Sequence, residues 1–133
     1  MIRFVSIPGQ PVGKGRPRFV RTTGHVYTPE KTRDYEDKVR TLYALHKYGQ
    51  PMQGPVRLSI NAVFKLPKAK QHQAGKPYTG KPDIDNVVKC IQDALNGLAY
   101  EDDKQVTELI ANMRYCELQE EPHVSVFVEE ASR

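Results

Sequence analysis

At 133 residues, with 38% apolar content, no Trp and 10 prolines, the chain suffices for one cored domain and is too short for two. No apolar run approaches a membrane span, and the opening MIRFVSIPG lacks the apolar stretch of a secretion signal, so membrane and exported classes are set aside and a cytoplasmic protein is expected. The net charge of +4 is unevenly spread: residues 1–89 hold 17 Lys/Arg against 6 Asp/Glu, and residues 90–133 hold 3 against 10. A basic body with an acidic cluster behind it suits a protein that grips a polyanion and holds cations at a reactive centre.

Residues 2–8, IRFVSIP, read as a strand closed by Pro8. The following GQPVGKGRPRFVRTTGHVYTPEK is rich in Gly, Pro and positive charge. Gly9, Gly13 and Gly15 around Lys14 invite comparison with a phosphate-cradling loop. Only three residues separate Gly9 from the Gly13-Lys14 pair, however, and a glycine follows the lysine, so no nucleotide cofactor is expected. What remains is a basic arm carrying Lys14, Arg16, Arg18 and Arg21 with Phe19, His25 and Tyr27 among them. That mixture suits phosphate contacts and base stacking.

Thr28-Pro29-Glu30 predicts a helix start, with Thr28 as N-cap and Pro29 at the first helical position. Tyr35, Val39, Leu42 and Tyr43 keep its apolar spacing, and Gly49 with Pro51 stop it. Residues 55–66 alternate almost strictly, with Val56, Leu58, Ile60, Ala62, Phe64 and Leu66 on one face, and predict a strand. Residues 67–80 then break all periodicity and read as a mobile basic loop carrying Lys68, Lys70, His72 and Lys76, with Tyr78 near its end. His72 has no second ligand at ligand spacing and is not read as metal-binding.

Residues 81–106 read KPDIDNVVKCIQDALNGLAYEDDKQV. The stripe Ile84, Val87, Val88, Ile91, Ala94, Leu95 and Leu98 predicts an amphipathic helix buried on one side. Asp85, Lys89 and Asp93, four residues apart, share a neighbouring edge. Gly97 stands where a left-handed cap would end the helix. Asp83 and Asp85 lie at its start, and Asp102 and Asp103 follow its end. Residues 106–118 and 123–129 read as two further strands, joined at 118–122 into a hairpin. The order β-α-β-α-β-β predicts one α+β domain over 1–133: a small mixed β-sheet with two helices on one face. Cys90 and Cys116, far apart and in no CxxC, read as structural thiols.

Several carboxylates without His or Cys suit Mg²⁺, or Mn²⁺ in its place, rather than Zn²⁺. Mg²⁺ takes one or two carboxylates and keeps water or substrate phosphate as its other ligands, an arrangement that serves phosphodiester hydrolysis. Simpler readings exist for each acid: Asp83 as a cap, Asp85 as a first-turn acid, Asp93 as a partner of Lys89, and Asp102 with Asp103 as a turn. None of them explains why the acids bracket one helix flanked by basic loops. An aspartyl-nucleophile phosphatase would place its Asp-x-Asp after a buried strand, whereas here the pair follows GKPYTGKP. A DxD glycosyltransferase needs a larger domain.

The 81–106 stretch closely resembles the RusA family of Holliday junction resolvases, through its Asp-x-Asp-Asn, Asp-Ala-Leu-Asn-Gly and Asp-Asp elements. GKGRPR, YTPEKTRDYE and the downstream strand pair resemble the phage and prophage-like branch, and the likeness covers roughly residues 8–118. The resemblance implies a Mg²⁺-dependent homodimeric endonuclease of DNA recombination and repair that binds four-way junctions and cuts symmetrically related strands. Position by position, it implies Asp83, Asp85 and Asp103 as catalytic acids and metal ligands and Lys89 as the catalytic lysine. Asp102 is a further ligand candidate and Asp93 a supporting acid. Lys14, Arg16, Arg18, Lys68, Lys70, Lys76 and Lys81 are the expected DNA contacts. The N-terminal arm departs from that of the best-known enterobacterial member. The alternative is a branched-DNA-binding protein without cleavage activity.

Overall fold

The computed structural model describes residues 1–131. Eight regular elements follow in order: β1 (Ile2–Pro8), β2 (Arg18–Val20), β3 (His25–Tyr27), α1 (Glu30–Leu45), β4 (Val56–Phe64), α2 (Ile84–Leu95), β5 (Val106–Tyr115) and β6 (His123–Glu130). Short 3-10 turns occupy Lys68–Gln73 and Asp103–Gln105. Four strands form one sheet in the order β1-β6-β4-β5, with β4 and β5 parallel and the other neighbours antiparallel. The inner face carries Val5 and Ile7 of β1, Val56, Leu58, Ile60, Ala62 and Phe64 of β4, and Val124, Val126 and Val128 of β6, each almost fully buried. Against it lie Tyr35, Val39 and Tyr43 of α1 and Val87, Cys90, Ile91, Ala94 and Leu95 of α2. The expected α+β layering, with both helices on one face, is therefore present. Burial raises the Cys90 thiol to about 12 and also lifts Cys116 above its ordinary value; both are free and buried.

The expected hairpin of the last two strands is not formed. β4 lies between β5 and β6, so the 118–122 turn joins strands that do not pair. The connection through α2 returns β5 parallel to β4, as a helical crossover does. The place on the other side of β4 goes to β6, whose Val124, Val126 and Val128 need burial. Leu109 and Ile110 of β5 remain about half exposed, so the less apolar strand takes the outer position. Nor does Thr28 cap α1. Pro29 itself occupies the N-cap and the helix begins at Glu30, one residue later than the Thr28-Pro29 signal placed it. Ile84, counted in the α2 stripe, is 41% exposed, because it opens the helix before the core is reached.

The stretch read as a basic arm and the one read as a mobile loop both carry structure. β2 and β3 pair as a separate two-stranded hairpin. Residues 68–73 coil, and the chain then runs beside β5: Tyr78 N donates to Met113 O at 3.1 Å, Tyr115 N to Lys76 O at 2.9 Å and Gly75 N to Cys116 O at 3.1 Å. Tyr78 lies flat on Phe64, with ring centroids 3.8 Å apart, and meets Tyr115 edge-on. The stack anchors a segment that has no stripe of its own. At the far edge of the sheet, Tyr48 Oη accepts from Phe4 N at 2.9 Å and donates to Phe4 O at 2.8 Å. No helix among the described residues is long and apolar enough to cross a membrane.

Candidate active site

Asp83 takes the N-cap position of α2, with extended backbone, yet its side chain caps nothing. Its Oδ1 instead accepts from Lys81 Nζ at 3.1 Å, and the carboxylate is 53% exposed. A cap aspartate that leaves the helix N–H groups alone is available to another partner. Asp85, in the first turn of α2 and exposed, accepts from the Asn86 N–H at 3.1 Å. The Lys81–Pro82 peptide is cis, and Tyr78 Oη donates to Lys81 O.

The glycine-rich stretch crosses the start of α2. A Cβ on Gly13 would lie 2.5 Å from Pro82 Cβ and 3.2 Å from Asn86 Cβ, so only glycine lets the two segments touch. Lys14 N donates to Asn86 O at 2.8 Å, and Gly15 N to Oγ1 of the buried Thr32 at 3.0 Å. This threading delivers Lys14 between the helices. Its Nζ stands 2.9 Å from Glu36 Oε2 and 3.0 Å from Asp93 Oδ2, while Asp93 Oδ1 is 3.3 Å from Lys89 Nζ. Burial works to lower the Lys14 ammonium pKa, but the bonds to Glu36 and Asp93 outweigh it and hold it above its ordinary value. Alternating charge thus runs Glu36, Lys14, Asp93, Lys89 and ends on the residue expected to be catalytic. Glu36 and Thr32 escape the sequence reading. The signal for Glu36 was its place four residues after Thr32 and three before Val39, which sets a carboxylate on the buried side of α1.

Asp102 caps the 3-10 turn Asp103–Gln105, accepting from Lys104 N at 3.2 Å. Gln105 Oε1 accepts in return from Asp102 N at 3.0 Å. Gln105 Nε2 also donates to Met52 O and Gly54 O, each at 2.8 Å, which fixes the turn to the body. The Lys104 N–H and a bond shared with Asp103 hold the Asp102 carboxyl low. The same shared bond, with some burial, pushes Asp103 up, against the pull of the Lys89 charge. Asp103 therefore shares the electrostatic surroundings of Lys89 and Asp93.

The acids are strung along α2 rather than gathered at a point. Ten residues of helix separate Asp83 from Asp93, roughly 15 Å of rise. Among the described residues no group of three or more His, Cys, Asp or Glu converges closely enough to hold a metal ion. The donors are all carboxylate oxygens, with Asp83 uncapped and Asp102 and Asp103 side by side. That set fits a hard divalent cation held through one or two protein carboxylates, with water and phosphate completing its shell, and not an all-protein cage.

Two basic clefts adjoin this line. One, of about 730 Å³, is bounded by Lys14, Arg16, Arg18, Lys31, Lys81 and Asn86. The other, of about 680 Å³, is bounded by Lys65, Lys68, Lys70, Tyr78 and Tyr115. Lys76 is exposed on the strip beside β5. Of the expected DNA contacts, Arg16, Arg18, Lys68 and Lys70 thus line open basic surface, Lys81 also pairs with Asp83, and Lys14 is engaged inside the protein.

Residues 8–129 match the family model described as endodeoxyribonuclease RusA. The chain is also 35% identical over 142 aligned positions to the "uncharacterized protein YqaN" of Bacillus subtilis (strain 168), covering 98% of this chain and 97% of that protein. The match takes in the basic clefts, both ends of α2, β4 and β5 in full and all but the last residue of β6, so the chain belongs to the RusA family of endodeoxyribonucleases.

Proposed function

We propose that this chain is a Mg²⁺-dependent endonuclease that resolves four-way DNA junctions by symmetric phosphodiester hydrolysis, working as a homodimer. The observation that carries the reading is Asp83, whose side chain caps no helix N–H, in a stretch whose neighbours Lys81, Pro82 and Asn86 line a basic cleft. Asp83, Asp85 and Asp103 are the proposed cation ligands, with Asp102 in support. A Mg²⁺ ion held by these carboxylates would supply Lewis-acid chemistry to the phosphate and lower the pKa of a water, and Mn²⁺ would serve in its place. Lys89 offers positive charge to the scissile phosphate, and Asp93 with Lys14 keeps its ammonium oriented. Arg16, Arg18, Lys68, Lys70, Lys76 and Lys81 hold the DNA backbone, which makes binding steeply salt-dependent.

Symmetric incision requires two related sites, hence a two-fold dimer. In support, the sheet face opposite the helices bears Ile2, Ile110 and Phe127, all at least 36% exposed, with Phe4 packed on Phe127 at 4.8 Å. The test is purified protein on a synthetic four-way junction with Mg²⁺. Paired symmetric nicks are expected, and Asp83→Asn should lower the rate at least a hundredfold. Loss of cutting in the wild type, or full activity in the variant, refutes the proposal. A second reading, a branched-DNA-binding protein that does not cut, is favoured by the lack of a converged three-carboxylate group among the described residues. It predicts a junction gel shift with metal present and no product.

A further inference from the structure

The β2–β3 hairpin has no core of its own and stands outside the main sheet. Phe19 and Val26 are directly paired across it and are 63% and 58% exposed, while Tyr27, paired with Arg18, is 41% exposed. A lone two-stranded hairpin is at best marginally stable in water, and showing its apolar pair to solvent stabilises it no further. The pair is explained if a partner covers it.

The surroundings say what chemistry that partner has. From Gly9 to Pro29 the chain carries Lys14, Arg16, Arg18 and Arg21 and no acid. Arg16, Arg18 and Arg21 form no ion pair among the described residues. The cleft bounded by Lys81 and Asn86 at the start of α2 is bounded also by Arg16 and Arg18, where the hairpin begins. A polyanion lying in that cleft, whose wall includes Pro82 and Asn86 at the start of α2, is therefore led onto the hairpin. Apolar and aromatic side chains with cationic neighbours enter base steps, with the phosphates held on either side.

We infer that the β2–β3 hairpin is a branch-point wedge, which inserts Phe19, backed by Val26, between base pairs at the crossover of a DNA junction whose backbones Arg16, Arg18 and Arg21 grip. This rests on the proposed junction-resolving function and adds the element that tells branched DNA from linear duplex. Pairs at the crossover of an open four-way junction have a stacking neighbour on one side only, so a side chain enters there at lower cost than within a duplex.

The chain contains no Trp, so Phe19→Trp introduces a single indole reporter at the wedge. With Ca²⁺ in place of Mg²⁺ to withhold cleavage, a four-way junction should quench its emission at least twofold, and linear duplex at equal occupancy much less. In parallel, 2-aminopurine at the crossover should brighten several-fold when the wild type or Phe19→Trp binds, and far less with Phe19→Ala. Equal quenching by duplex and junction overturns the wedge, as does a full 2-aminopurine rise with Phe19→Ala. So does a fall in sedimenting mass on Phe19→Ala, which would make the hairpin a protein contact. If the wild type neither binds nor cuts junctions, the functional proposal falls as well; if it does both without brightening 2-aminopurine, only the wedge falls.

Discussion

Lys14 shows how a residue's chemistry depends on what the fold places around it. In the sequence it is one of several cations in a basic arm, and a phosphate contact is the natural reading. In the structure it joins Glu36 of α1 to Asp93 of α2, both within 3.0 Å, and Asp93 in turn holds Lys89. A partly buried cation with two carboxylate partners acts by positioning. Lys14→Met should therefore slow junction cleavage about tenfold while leaving the slope of log K against log salt nearly unchanged. A phosphate contact would lower that slope by about 0.9. Arg18→Ala is the converse case, with a shallower salt slope at little cost to stability. The positions of Asp83, Asp85 and Lys89 along one helix, with Asp103 after it, were legible because spacing along a helix is a local property, while the roles expected of them came from the family resemblance. Glu36 was hard to see because its partner lies 22 residues away and only the folded chain brings them together.

Among the elements, α2 was the most legible, since a 3.6-residue apolar period needs no knowledge of the rest of the chain. Its Ile91 is fully buried, and Ile91→Ala should cost about 2–5 kcal/mol in urea unfolding. A subtler element is the crossing at Gly13. An added Cβ meets Pro82 and Asn86 at 2.5 and 3.2 Å, so Gly13→Ala must push the arm and the start of α2 apart. Overpacking there should cost about 1–3 kcal/mol, and cleavage should fall further than stability does, because the displaced segment leads directly into Asp83. Parallel rates of loss for folding and cleavage would refute a positioning effect. The order of the strands was not legible. Turn residues at 118–122 look alike whether the flanking strands pair with each other or with a third, and β6 beside β4 follows from competition for burial across the whole sheet. The β2–β3 hairpin was hidden for a related reason: three residues a side give too few alternations to detect.

At the scale of the whole molecule, charge and pairing set two expectations. Glu120 accepts from Arg114 at 2.7 and 2.9 Å and from Glu117 N at 2.8 Å, which holds its carboxyl down to about 2 against an ordinary 4.5. A depressed carboxylate stabilises the fold above its unfolded pKa, and that contribution is lost as pH falls through the folded value. Acid unfolding between pH 4.5 and 2 should thus be steeper in the wild type than in Glu120→Gln, as read by circular dichroism. The second expectation concerns the uncovered sheet face. Phe127→Glu should shift sedimentation from dimer to monomer if that face mediates the proposed pairing, and an unchanged dimer would send the search to another surface.

Both rims of the four-stranded sheet are also occupied by the chain itself. Residues 75–78 run along β5, and the Tyr48 hydroxyl bonds both backbone groups of Phe4 in the middle of β1. Neither rim offers the uninterrupted ladder that an incoming strand needs. Self-association is thereby steered away from open-ended, edge-to-edge growth, which would yield filaments, and toward contacts through faces, which close after two copies. Tyr48→Phe removes the hydroxyl that blocks one rim. Its consequence should appear as slow, concentration-dependent growth in light scattering, in a protein whose folded monomer is otherwise intact.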